Sequence, residues 1–172
     1  MDTVVSSEDM VELKDSLQQS INFIPEDAMI GLITFGKMVQ VHELGFTDCP
    51  KCYVFRGDKE MTGPQVQTQL GLSVSNDQLN KGAAPSIQRF LVPVGECDFA
   101  LNSLLDDLQC DPWPAPQGDR PARSAGQAMS IAISMLESCV GKGPINRGSR
   151  IITLLGGPIT NGPGKIVSQS KK

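Results

Sequence analysis

Eight consecutive residues, Ala28-Met29-Ile30-Gly31-Leu32-Ile33-Thr34-Phe35, carry a single hydroxyl and no charge. A run this short falls well below the ~20 apolar residues of a membrane-spanning helix. It shows no polar alternation, so it reads as a strand buried on both faces, which helices must then cover. The sequence before it supplies one such helix. Ser6-Ser7-Glu8-Asp9 has the hydroxyl caps and first-turn acids of a helix start. Met10, Leu13, Leu17, Ile21 and Ile24 then recur at spacings of three and four, until Pro25 stops the helix.

After the run, Gly36-Lys37 reads as a turn and Met38 to Leu44 as a hairpin partner nearer the sheet edge. Tyr53-Val54-Phe55 reads as a short strand, and Pro64 to Leu70 as a short helix with proline in its first turn. Ser73 to Ser86, rich in Ser, Asn, Gly and Ala, is a loop. Phe90 to Val94 contains Pro93 and belongs at an edge. Asp98 is placed to cap a helix carrying Leu101, Leu104, Leu105 and Leu108. Asp111 to Gly118 holds Pro112, Pro114 and Pro116 and is excluded from regular structure. Ser124 is placed to cap a helix with Ala128, Ile131, Ala132, Met135 and Leu136 on one face. Gly141 to Ser149 is a loop, and Arg150 to Leu155 a second buried strand running into the glycine-rich stretch Gly156 to Gly164. Helices alternating with apolar strands predict an α/β class, with a mostly parallel sheet, a hairpin edge and flanking helices. The chain opens almost directly on a helix and closes just after a strand, so it reads as a piece of a larger domain.

Fifteen Lys and Arg against nineteen Asp and Glu leave a net charge of −4, the wrong sign for coating nucleic acid. Five cysteines at uneven spacing do not suggest a secreted disulfide framework, and the expectation is a soluble, reduced, intracellular chain. Cys49-Pro50-Lys51-Cys52 has no second pair to complete a zinc site, and strand-like residues follow it where a redox motif wants a helix. It reads as two thiols in a surface loop. The turn after Leu155 fails the phosphate-loop pattern, because Ile166 follows Gly164-Lys165. Ala122-Arg123-Ser124-Ala125-Gly126 starts with Ala where a nucleophile elbow needs Gly, and no strand precedes it. His42 is the sole histidine and reads as structural. Asp106, Asp107 and Asp111 beside a proline loop read as solvated acids. No catalytic residue is assigned. Asp111-Pro112-Trp113-Pro114 carries the only Trp, on a rigid backbone: either an interface anchor or a plug onto its own core. Arg120 and Arg123 stand ready to pair with a partner's acids or to brace the loop.

Three stretches carry a family resemblance: Gly31 to Gly45, Tyr53-Val54-Phe55-Arg56-Gly57 and, most specifically, Asp111-Pro112-Trp113-Pro114-Ala115-Pro116-Gln117-Gly118-Asp119-Arg120-Pro121-Ala122-Arg123-Ser124-Ala125-Gly126. Together with Gly156 to Gly164 they resemble the trunk domain of the GTPase-activating subunit of the inner COPII vesicle coat. The resemblance implies a von Willebrand A-like fold, truncated at both ends, with residues 1–172 forming a partial trunk. On that resemblance, the family's zinc finger, β-sandwich, helical and gelsolin-like domains are expected to lie outside this sequence. It implies a role in transport from the endoplasmic reticulum to the Golgi, on the cytosolic face of the membrane. The implied partners are the cargo-selecting coat subunit and the small coat GTPase, and not nucleic acid. The activating arginine lies in the missing gelsolin-like domain, so no enzyme and at most partner binding is expected here. Trp113, Pro114, Arg120 and Arg123 are the candidate contact residues. Many von Willebrand A domains bind a divalent metal through D-x-S-x-S, but Asp2-Thr3-Val4-Val5-Ser6 breaks that pattern and Gly156 replaces a later acid. No metal and no cofactor is expected. The alternatives are an A-type interaction module without a coat role, and a nucleotide-binding α/β enzyme. Lys171-Lys172 resembles a retrieval tag only loosely.

Overall fold

The computed structural model describes residues 1–46, 49–72, 86–138 and 148–170. Most of the two loops read over 73–86 and 141–149 lies outside these residues, as do Cys139 and the terminal lysines. Helix α1 (Ser7–Ile21) starts where the Ser6 hydroxyl accepts from the Asp9 amide at 3.0 Å. That bond satisfies one of the amides an α-helix leaves unpaired at its start. Its stripe packs as the periodicity predicts, with Met10 and Ile21 buried and Leu13, Leu17 and Ile24 partly buried against the same cluster.

The run Ala28–Phe35 is not one strand. It divides into β1 (Met29–Ile30) and β2 (Ile33–Phe35). β1 pairs antiparallel with β5 (Val92–Pro93), Ile30 opposite Val92. β2 pairs antiparallel with β3 (Met38–His42), and β3 with β4 (Cys52–Arg56); Phe35, Val39 and Phe55 stand in one row across the three. β3 is therefore central, not near the edge, and β4 is the outer strand. The break falls at Gly31, where the backbone passes so close to the next segment that a Cβ would stand 2.9 Å from the Phe90 carbonyl oxygen. Only a residue without a side chain fits there.

The expectation of a mostly parallel sheet is corrected: both described sheets are antiparallel. Among the described residues, parallel pairing is confined to a single bridge between Asp2 and Phe35. There Thr3 donates to the Phe35 carbonyl and Phe35 to the Met1 carbonyl, both at 2.9 Å. On its other side the Asp2 amide donates to Leu154 at 3.0 Å. That one bond is too little to make a ladder, so Arg150 to Leu155, read as a buried strand, is irregular chain with Ile152 80% exposed.

Two helices differ in detail from their reading. Helix α2 (Gly63–Gln69) has Pro64 in its first turn, and the Thr62 amide donates to the Gln65 side chain at 3.0 Å. Helix α3 (Val94–Asp107) begins four residues before Asp98, because the Val94 and Gly95 amides find the Ala28 and Glu26 carbonyls at 3.0 Å and need no side-chain cap. Asp98 sits inside the helix and accepts from Asn102 at 2.8 Å. Helix α4 (Ala125–Glu137) buries Ala128, Ile131 and Met135. Two apolar clusters result. Val39, Val41 and Phe55 pack with Val66 and Leu70 of α2 and Ile131 of α4. Met10 and Ile21 of α1 pack with Leu101 and Leu105 of α3.

Candidate functional site

Several connections converge beyond Phe35 and Arg56, at the ends of β2 and β4. The Ser124 amide donates to the Gly36 carbonyl at 3.0 Å, and its hydroxyl donates to the Lys37 carbonyl at 3.3 Å. The Asn161 side-chain amide donates to that hydroxyl at 2.8 Å. The cap expected of Ser124 therefore does not form: the hydroxyl is spent joining the β2–β3 turn to the glycine-rich stretch. Gly57 passes against Ser124 and Lys37 with no room for a Cβ, so the packing of these connections requires glycine there.

Arg123 stands at the centre of this junction. Its Nε donates to the Asp2 carboxylate at 2.5 Å, with the two side chains 8% and 1% exposed. Nη2 donates to the Val4 carbonyl at 2.6 Å and Nη1 to the Pro158 carbonyl at 3.4 Å. The backbone is held as firmly. The Arg123 amide donates to the Thr160 hydroxyl at 2.8 Å, and that hydroxyl donates to the Pro121 carbonyl at 2.6 Å. Asp2 is equally occupied, accepting from the Val4 and Gly156 amides at 2.9 Å each. One guanidinium thus ties the first residues of the chain to the loop before α4 and to residues 156–160. Arg123 offers no free face to a partner; of the two roles weighed for it, the geometry is that of a brace.

The same geometry does not fit the divalent metal of many A domains. A hard cation wants several free oxygens. Here both Asp2 oxygens already accept bonds, and a positive group occupies the space beside them.

Arg120 is partly exposed and also works inward, donating to the Ser168 and Ser170 carbonyls at 3.0 and 3.2 Å while its amide donates to Gln169 at 2.7 Å. Trp113 and Pro114 face solvent, Trp113 at 52% exposure. Trp113 is not loose. The Lys37 ammonium lies 4.6 Å from its ring centroid, close enough for a cation–π contact. Asp111 fixes the segment: its carboxylate accepts from the Lys37 amide at 2.5 Å and from the Trp113 amide at 3.0 Å, and its own amide donates to Thr3 at 2.8 Å. Asp111 was expected to be merely solvated and is instead a clamp. Acid before proline is a turn signal that could have found it. The Lys37 contact had no signal in sequence, because the two residues lie on separate connections.

The sequence profile described as the Sec23/Sec24 trunk domain matches residues 1–172. The chain belongs to the Sec23/Sec24 trunk family. Protein transport protein SEC23 F of Arabidopsis thaliana is 41% identical over 179 residues, which covers 98% of this chain and 23% of that relative. The trunk chain thus spans about a quarter of its relative's length.

The remaining candidates of this trunk chain are structural. His42 is buried, its Nε2 2.9 Å from the Thr34 hydroxyl. Burial, with the nearby amino terminus adding repulsion, pushes its pKa down to about 4. At the same end of β3, Arg89 grips the Glu43 carboxylate through Nε and Nη2 at 2.9 Å each and also reaches the Tyr53 hydroxyl. This pairing holds Glu43 below the usual carboxylate range. Cys49 is exposed; Cys52, read as a loop thiol, opens β4 and is largely exposed, with partial burial of its thiol raising its pKa. No helix among the described residues is long and apolar enough to cross a membrane.

Proposed function

We propose that this trunk chain serves the inner COPII coat by protein contact, as part of a subunit that acts in transport from the endoplasmic reticulum to the Golgi. The observation that carries the reading is the trunk-family match over residues 1–172, together with the relationship to a SEC23 protein. The partners are the cargo-selecting subunit and the small coat GTPase, met on the cytosolic face of the membrane. The chain binds without activating GTP hydrolysis and requires no metal or cofactor for this. An Arg123 already bonded to Asp2, Val4 and Pro158 is unsuited to reach into a nucleotide site. A von Willebrand A-like sheet order, with Asp2 between β2 and Leu154, is supported by the parallel bridge at Phe35. Trp113 and Pro114 supply exposed contact surface, while Arg120 and Arg123 keep it in shape.

The test is a pull-down of purified cargo-selecting subunit by this chain, run beside a GTP-hydrolysis assay with the coat GTPase. Capture without stimulated hydrolysis is expected. Failure to capture removes the coat role and leaves an A-type module, whereas stimulated hydrolysis by this chain alone overturns the division of labour.

A further inference from the structure

A cavity of about 820 Å³ opens beside Trp113, between the start of α1, the segment Cys110–Trp113 and residues 154–156. That volume lies within the ~300–1,000 Å³ range of ligand sites. Val5, Leu13, Trp113, Leu154 and Leu155 make its lining mainly apolar. Leu155 and Trp113 are about half exposed, so neither wall is closed by the chain's own packing. A second cavity of about 320 Å³ is also lined by Cys110, Asp111 and Trp113. The indole thus borders two recesses, and Asp111 and Lys37 hold its segment in place.

The larger recess has a charge bias. Asp2, Asp9 and Asp111 line it and, among the described residues, no Lys or Arg does; the Lys37 ammonium lies over the Trp113 ring. Asp2 is neutralised by Arg123, and Asp111 is spent on two amides. Asp9 is exposed at the mouth, and its carboxylate has no partner among the described residues. An apolar recess with an unpaired acid at its rim selects a cation attached to an apolar group. A negative partner meets Asp9 and the chain's overall charge of −4.

We propose that the recess beside Trp113 docks a partner protein segment carrying aliphatic side chains next to lysine or arginine. The inference rests on Trp113 being a contact residue and needs no coat role, so its failure and that of the coat reading are separable. The experiment titrates this chain with acetyl-Lys-Leu-Leu-Lys-amide and, in parallel, acetyl-Glu-Leu-Leu-Glu-amide, following the emission of Trp113, the only Trp present. The lysine peptide is expected to shift the emission to the blue and saturate, and the glutamate peptide to bind about tenfold more weakly or not at all. Added salt is expected to narrow that difference. Asp9→Asn, at an exposed position, is expected to weaken the lysine peptide by about threefold to fivefold without moving the melting temperature. Equal binding of the two peptides, no emission change with either, or an unaltered affinity in Asp9→Asn each overturns the proposal. A blue shift that appears on raising protein concentration without peptide assigns the recess to a second copy of the chain and overturns it as well. The pull-down of the cargo-selecting subunit is read separately, with wild type and Asp9→Asn.

Discussion

Arg123 carries more of this structure than any other side chain at the candidate site, because it compensates a carboxylate that is 1% exposed. A buried ion pair is a modest net contributor to stability, but removing one member leaves the other charged and without its counter-ion. Arg123→Met is therefore expected to cost about 3–5 kcal/mol in a urea titration. Asp2→Asn in the Arg123→Met background removes the orphaned charge while keeping an acceptor for one of the two amides, Val4 or Gly156, that Asp2 serves. It is expected to restore at least about 1 kcal/mol, so the two changes are strongly non-additive. A simple sum of the two losses would show that the pair is not coupled. From the sequence, Arg123 had two possible roles, pairing with a partner's acids or bracing the proline loop. The sequence could not choose between them, because Asp2 is 121 positions away and nothing local points to it.

At the scale of elements, local chemistry was legible wherever it acts alone. The stripe Met10, Leu13, Leu17, Ile21 and the cap at Ser6 are satisfied within one helix, and α1 formed as read. The hairpin around Gly36-Lys37 and the irregular proline loop followed for the same reason. Where a neighbouring segment competes, the reading failed. Gly31 looked like one residue of a continuous strand until the Phe90 carbonyl passed beside it. Ser124 and Asp98 looked like caps until backbone carbonyls from other elements supplied the bonding. The segment Asp111–Trp113 is the case with most bearing on function, since a single carboxylate sets the position of the exposed indole. Each bond from a charged acceptor to an amide is worth about 1.5–3 kcal/mol where well formed, and less at an exposed site. Asp111→Ala is thus expected to cost about 1–2 kcal/mol overall. It should also lower the fluorescence anisotropy of Trp113 and shift its emission to the red. Unchanged anisotropy would mean that Pro112 and Pro114 fix the ring without the clamp.

Over the whole molecule, the strands bury polar side chains as well as apolar ones, Thr34 and His42 among them, and this gives the fold a particular response to acid. His42 sits in that interior as the neutral form, with a pKa of about 4 against 6.5 for an unperturbed histidine. Between those values the unfolded chain takes up a proton that the folded chain refuses, so stability rises with pH across that window and falls as pH drops through it. The contribution is nearly complete at pH 7 and is progressively lost toward pH 4. Glu43 acts in the same sense at a lower range: its folded pKa is depressed by Arg89, so its contribution is held above the unfolded value and lost as pH falls through the folded one. The amino group of Met1, lowered to about 6 by burial, also favours the folded state as pH rises. A slope alone therefore does not isolate His42; the comparison with a variant that cannot titrate there does. From His42 alone the chain should be about 2 kcal/mol less stable at pH 5 than at pH 7. His42→Gln is expected to remove that share of the slope while keeping a hydrogen-bond partner for the Thr34 hydroxyl. Urea midpoints at pH 7, 6 and 5 for the two proteins measure it. Parallel curves would show that the imidazole takes up its proton as readily in the folded chain as in the unfolded one, and that the interior around it admits charge.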